Sequence, residues 1–326
     1  MPNVAVKGLA MLLDRVDRVE VLVVVDNVAD SLLPPHPCVR RAELGDGDEL
    51  SSDTLLAEHG LCLLITAIQG SRTSRLLLDA GYSPVAAPRN LERLGESLDD
   101  VSGILISHGH EDHVGSIGTL LDRAGSVPVI VHPEAFRAPR YFKADDGRLF
   151  RIPQMISREL LEDHGAEIVE SREPVVWDGC FLVTGEIPRR TPYEQGLPGA
   201  LRDVDGELVD DPVLDDQAVV LDVAGAGLVV ISGCAHAGII NTVHYACDLV
   251  HDRPVHAVIG GFHLGGEAQQ PAVEPTLDAL LDLSPAHVVP MHCTGRQTQR
   301  RFHERLGATC IDSAVGTVFV FEGASR

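Results

Sequence analysis

The chain has 326 residues, 44% of them hydrophobic, and its 48 acidic against 26 basic side chains give a formal net charge of −22. That apolar content can fill a sizeable core and excludes a disordered chain, while the negative field disfavours nucleic-acid phosphates and anionic membrane surfaces as partners. No stretch reaches the roughly 18 uninterrupted apolar residues of a membrane span, and residues 1–25 are interrupted by Lys7, Asp14, Arg15, Asp17, Arg18 and Glu20, so a cytoplasmic protein without a secretion signal is expected.

Val21-Leu22-Val23-Val24-Val25 is a continuous β-branched run and predicts a strand covered on both faces, ending at Asp26-Asn27. The proline-rich residues 33–41 and the acidic residues 43–53 read as loop. Two further strands, Leu61 to Ile65 and Arg75 to Asp79, are separated by a turn at Gly70 to Ser74, and residues 90–97 predict a helix. The apolar run Gly103 to Ile106 then leads into Ser107-His108-Gly109-His110-Glu111-Asp112-His113, followed by a helix start after Gly115. In an extended segment side chains alternate faces, so His108 and His110 point the same way and can share one cation. Asp112 and His113 fall where the chain turns into the helix and can swing to a second cation, the arrangement of a two-metal hydrolytic site.

His-x-His-x-Asp-His after a buried strand resembles the signature of the metallo-β-lactamase superfamily. The longer form, Ser107 to His113, resembles its dihydropterin-linked ribofuranosylaminobenzene-phosphate synthase-like branch. The resemblance implies one α/β domain over residues 1–326, an αββα sandwich of two mixed sheets with helices on both outer faces. It marks Asp79-Ala80-Gly81 as the turn that supports the metal loop, with Asp79 hydrogen-bonding behind the ligands, and places Asp26-Asn27 and His59-Gly60 near the site. His59 reads equally as a capping, a packing or a functional residue.

Downstream, Val127 to Val131 predicts a strand, and residues 135–165 read as irregular. They carry Arg137, Arg140, Arg148 and Arg151 among Phe136, Tyr141, Phe142 and Phe150, either a cover for an anionic, ring-bearing molecule or a solvated insertion. The strand from Gly179 ends at Gly185-Glu186-Ile187-Pro188-Arg189. The family often has a histidine ligand near this point, so Glu186 is a candidate ligand or base and Arg189 a candidate anion holder. The acidic residues 203–216 read as a surface loop. Strands at 217–223 and 227–232 then lead to Gly233-Cys234-Ala235-His236-Ala237-Gly238 and a helix over 239–250.

Family members commonly carry Gly-Asp here, the aspartate bridging the metals. In this chain Cys234 takes that place, as a ligand or as a buried thiol, and His236 two residues on is the preferred ligand. Gly260-Gly261-Phe262-His263 and Val289-Pro290-Met291-His292 each put a histidine just past a strand end, and His292 resembles the family's terminal ligand. His244, His251, His256 and His287 sit within elements and read as packing or surface residues. A final helix spans 296–306 and a closing strand 317–321. The seven cysteines are odd in number and scattered, which argues against a secreted disulfide framework.

The resemblance thus implies one or two ions, zinc first and manganese or iron as alternatives. His108, His110, Asp112, His113, Cys234, His236, His263 and His292 are the candidate ligands, Asp112 and Glu186 the candidate catalytic groups and Arg189 a substrate contact. The expected activity is hydrolysis of a small anionic substrate by metal-activated water, with helix starts after Gly238 and Gly295 offering further anion contacts. The branch's synthase (transferase) chemistry, or metal binding without catalysis, is the alternative.

Overall fold

The computed structural model describes residues 3–4, 11–43, 45–46, 49–137, 139–144, 146–251 and 253–323. Residues 5–10 of the charged N-terminal stretch, Lys7 included, and parts of the acidic 43–53 segment lie outside the described residues. Among the described residues no helix is long and apolar enough to cross a membrane.

The β-branched run becomes the strand Arg18–Val25. Its period-two alternation sends Val19, Val21 and Val23 to one face and Leu22 and Val24 to the other. It lies in an eight-stranded sheet whose order is Glu167–Glu170, Pro128–Val131, Val101–Leu105, Arg72–Leu78, Cys62–Gln69, Arg18–Val25, Val318–Glu322 and Val39–Arg40. A second eight-stranded sheet contains Phe181–Val183, Ala218–Val223, Gly227–Ser232, Val255–Gly261 and His287–Met291 in that order, the last three mutually parallel. One apolar cluster joins the sheets face to face, with Val21, Ile65 and Leu76 from the first and Phe181, Val219, Ile231, Ile259 and Val289 from the second. Helices Ala86–Leu94 and Ile117–Ala124 cover the outer face of the first sheet. Ile239–Leu249, Gln270–Leu283 and Arg296–Leu306 cover that of the second. The expected αββα layering is present.

Several local expectations are corrected. Residues 135–165 are not irregular: Arg140–Lys143 and Leu149–Ile152 pair with Ala200–Val204 and Glu207–Asp210 in a four-stranded sheet. These strands are short and largely exposed, so they carry little apolar alternation and are specified by their partners. The acidic 203–216 segment is a hairpin arm followed by a buried turn, with Asp211, Asp215 and Asp216 inside the protein. The helix predicted over 90–97 starts earlier, at Ala86, and stops at Gly95, whose left-handed conformation (φ 70°) ends it. Helix Gln270–Leu283 went unpredicted because Pro271 and Pro275 interrupt its pattern.

Candidate metal centre

The carboxyl ends of six strands gather on one edge of the sandwich. Arg18–Val25 delivers Asp26-Asn27, Arg72–Leu78 delivers Asp79, and Val101–Leu105 delivers Ser107 to His113. From the facing sheet, Gly227–Ser232 delivers Cys234 and His236, Val255–Gly261 delivers His263, and His287–Met291 delivers His292. The loops meet closely: a Cβ on Gly233 would lie 2.1 Å from Ser107 Oγ, and one on Gly109 would lie 2.2 Å from the Ala135 carbonyl oxygen. Only glycine lets the backbones approach this far.

The ligand candidates fall into two sets. Around His108 Nε2 stand His110 Nδ1 at 3.1 Å and His236 Nε2 at 3.2 Å. Two nitrogens each about 2.05 Å from a tetrahedral ion stand roughly 3.3 Å apart, so this spacing suits a shared cation. Asp112, His113, Cys234 and His292 form the second set, each offering an atom within 4.8 Å of the others. His113 Nε2 lies 3.1 Å from Cys234 Sγ, and His292 Nε2 lies 3.3 Å from Asp112 Oδ2. Cys234 also groups with His108 and His236 within the same limit, so its sulfur sits between the two sets. His263 groups instead with Cys234 and Cys293, its ring 4.3 Å from that of His236.

A layer of hydrogen bonds orients these rings. Asp79 Oδ2 accepts from His113 Nδ1 at 2.6 Å and from Ser107 Oγ at 2.7 Å, and Ser107 Oγ also lies 3.0 Å from His108 Nδ1. His292 Nδ1 lies 3.1 Å from Asn27 Oδ1, and the His292 backbone N–H donates to Asp26 Oδ1 at 3.0 Å. The contacts at Nδ1 of His108, His113 and His292 leave Nε2 of each ring turned to the centre, the orientation a metal ligand needs. His292 Nε2 is buried without a well-formed hydrogen bond, as expected of an atom meant for a cation. Asp79, Ala235, His263 and His292 account for four of the eight non-glycine residues with positive φ among the described residues. Backbone strain is thus concentrated where the loops converge.

Electrostatics fit the same picture. Burial first, then the neighbouring imidazoles, holds His108 and His236 well below the usual histidine range, and burial with Arg140 brings His110 down to about 4. These three rings are neutral at pH 7, with lone pairs available. Burial works against charge on His113, but Asp79 and Asp112 raise it to about 9. Burial likewise opposes ionisation of Asp112, yet His113 and His292 hold it well below the ordinary carboxylate range. Burial drives the Cys234 thiol well up, which a bound cation would reverse.

Two candidates are not brought to the centre. The Glu186 carboxylate lies 3.7 Å from His132 Nε2 and 3.5 Å from Arg172 Nη1, and it belongs to neither ligand set. The histidine that joins His108 and His110 is His236, which enters from a different strand. Arg189 donates to the backbone carbonyls of His236 at 3.0 Å, Val213 at 3.3 Å and Pro212, so its guanidinium holds the His236 loop in place rather than facing solvent for an anion. The helix start after Gly238 is also taken, because Glu194 accepts from the N–H groups of Ile240 at 2.8 Å and Asn241 at 2.9 Å.

Two residues that sequence reasoning does not single out matter here, Cys293 and Asp215. Cys293 follows His292, and its sulfur accepts from the His263 N–H at 3.3 Å; adjacency to a ligand was its only signal. Asp215 Oδ2 accepts from Gly109 N–H at 2.7 Å and is clasped by Arg140 at 2.6 and 3.2 Å. That buried pair fixes the backbone between His108 and His110.

This chain is similar to known proteins in sequence and in fold. The family model described as Metallo-beta-lactamase superfamily matches residues 57–292, a span containing every ligand candidate. Uncharacterized protein MJ0448 of Methanocaldococcus jannaschii is 31% identical over 252 residues, covering 76% of this chain and 88% of its own. The 7,8-dihydropterin-6-methyl-4-(β-D-ribofuranosyl)-aminobenzene-5'-phosphate synthase of the same organism is 28% identical over 256 residues, covering 76% and 85%. Among solved structures, Tm1679, titled a metal-dependent hydrolase of the β-lactamase superfamily, superposes with a TM-score of 0.68. That likeness covers 94% of this chain and 100% of that one at 23% identity, and it speaks for the fold.

Proposed function

The chain belongs to the metallo-β-lactamase superfamily, and from that membership and the geometry of the centre we propose that it is a metal-dependent hydrolase of a small anionic substrate. The observation that carries this reading is the pair of ligand sets with Cys234 between them. His108, His110 and His236 would hold one ion, and Asp112, His113 and His292 a second. The nitrogen- and sulfur-rich donors favour zinc, with manganese or iron as alternatives. A divalent cation held here supplies Lewis acidity that brings the pKa of water down towards ~7.

The protein's own groups would do the rest. Asp79, Ser107 and Asn27 keep the imidazoles in register. Asp112, the carboxylate of the second set, is positioned to orient water and accept a proton. His59 is exposed, lies 3.7 Å from Asp112 Oδ2 and approaches Asn27 Nδ2 at 3.1 Å; it would exchange protons between Asp112 and solvent. Anion selection passes from Arg189 to the arginines around Glu134. Arg137 and Arg172 donate to that carboxylate and Arg202 lies 3.7 Å from it, while Arg172 also faces Glu186, so three positive charges stand against two negative. Long-range repulsion by the net charge is screened beyond a Debye length of ~8 Å at physiological salt, so local arginines can still select an anion.

A transferase reading has one specific support, the relative named a synthase that matches across 85% of its own length. One experiment separates the readings. Metal-loaded protein and a His110→Ala variant are assayed for hydrolysis of phosphodiesters, phosphate monoesters, thioesters and lactones, and for condensation of a dihydropterin with an aminobenzene ribofuranosyl phosphate. Hydrolysis of a phosphate ester, together with lost metal and activity in the variant, is expected. Condensation without hydrolysis would overturn the hydrolase assignment, and unchanged metal content in His110→Ala would overturn the centre itself.

A further inference from the structure

A second group of metal-ligating side chains lies at the opposite end of the sandwich. His256 opens the strand Val255–Gly261 and His287 opens His287–Met291, whereas His263 and His292 follow the far ends of those strands. Five residues at ~3.3 Å each put His287 roughly 16 Å from His292 along the strand. Within elements, His256 and His287 read from sequence as packing or surface residues; both are half-buried, their rings meet each other, and His287 also meets the loop that carries His36 and Cys38.

His36 Nδ1 lies 3.1 Å from Cys38 Sγ, and His287 Nδ1 lies 3.9 Å from the same sulfur on another side. The His36 and His287 rings are 6.0 Å apart, and His256 stands edge-on to His287 at 5.2 Å. Phe321 closes the floor, 5.7 Å from His287 and 6.1 Å from His256. The loop is fixed by backbone bonds rather than chance packing: Val320 N–H donates to the Cys38 carbonyl at 2.8 Å, and Val39 pairs with Phe319. Around a tetrahedral zinc, sulfur at about 2.3 Å and nitrogen at about 2.05 Å stand roughly 3.6 Å apart. The two observed sulfur-to-nitrogen separations fall on either side of that value.

We propose that Cys38, His36 and His287 form a site for a thiophilic divalent cation of the zinc type, tying the 36–38 loop to the start of the strand His287–Met291. One cysteine sulfur and two imidazoles supply three of the four positions of a tetrahedral shell, a donor set that zinc-type cations favour.

The test uses the full-length protein stripped of metal and then titrated with Zn2+. Cysteine alkylation is followed residue by residue by peptide mass mapping, which separates Cys38 from Cys234 and Cys293. Zn2+ should slow labelling of Cys38 by about tenfold or more, since a cation-held thiolate is not free to attack. Elemental analysis should find one ion per chain fewer in Cys38→Ser than in the unaltered chain. In His36→Ala and His287→Ala the protection of Cys38 should vanish while that of Cys234 persists, separating this site from the centre at the other end. Equal Cys38 labelling with and without Zn2+ in the unaltered chain would overturn the proposal, as would protection that survives a His36→Ala/His287→Ala double substitution.

Discussion

Replacing Arg140 by leucine tests whether the buried ion network behind the metal loop shapes the centre. Arg140 is 4% exposed, Asp215 0% and Asp211 6%. The guanidinium makes two bonds to Asp215, at 2.6 and 3.2 Å, and its Nε lies 3.2 Å from Asp211. Leucine fills much of the volume but leaves both carboxylates buried without their counter-charge. Breaking such a pair costs about 3–5 kcal/mol, because the remaining charge stays desolvated. Asp215 keeps its bond from Gly109 and Asp211 its bond from Val213, so the lower end of that range is expected. The freed Asp215 can then shift Gly109, which separates His108 from His110, and a disturbed support of this kind lowers metal affinity by roughly 10–100-fold. Urea unfolding of metal-free protein gives the first quantity and competition with a chelator the second. Adding Asp215→Asn should recover part of the stability by removing one unpaired charge. A loss below about 1 kcal/mol with unchanged metal affinity would refute the reasoning.

Two further expectations follow from the same geometry. Cys234→Ser should weaken metal binding, and the cobalt-substituted parent protein should display sulfur-to-metal charge-transfer absorption that the variant reduces; absence of that band in fully loaded protein would leave Cys234 a core thiol. Bonds from Arg137, then from Arg172, hold Glu134 at about 2 against an ordinary 4.5, so between these values the unfolded chain binds more protons and stability rises with pH. This contribution is complete above about pH 4.5 and is lost as pH falls towards 2. Glu134→Gln should therefore flatten the stability profile measured by urea midpoints between about pH 5 and 3, and an unchanged slope would remove Glu134 from the acid response.

What the chain determines by itself is local. Continuous apolar runs in Arg18–Val25 and Gly227–Ser232 mark strands covered on both faces, and the spacing of His108, His110, Asp112 and His113 marks a metal loop, because side-chain direction follows from the backbone of a few consecutive residues. Which distant residues complete that loop is a matter of register and of how the two sheets face each other. The parallel pairing of Gly227–Ser232, Val255–Gly261 and His287–Met291 brings Cys234, His236, His263 and His292 to one edge, and the same pairing gathers His256 and His287 at the other. From sequence, Glu186 is a candidate ligand or base and Arg189 a candidate substrate contact. Tertiary contacts assign Glu186 to His132 and Arg172, and Arg189 to backbone carbonyls. The run from Asp203 to Asp216 shows the same limit from the other side. Its charge reads as solvated surface, and only the placement of Arg140 on a neighbouring short strand makes burial of Asp211 and Asp215 tolerable. A charged residue's environment is set by partners far away in the chain, and no periodicity encodes it.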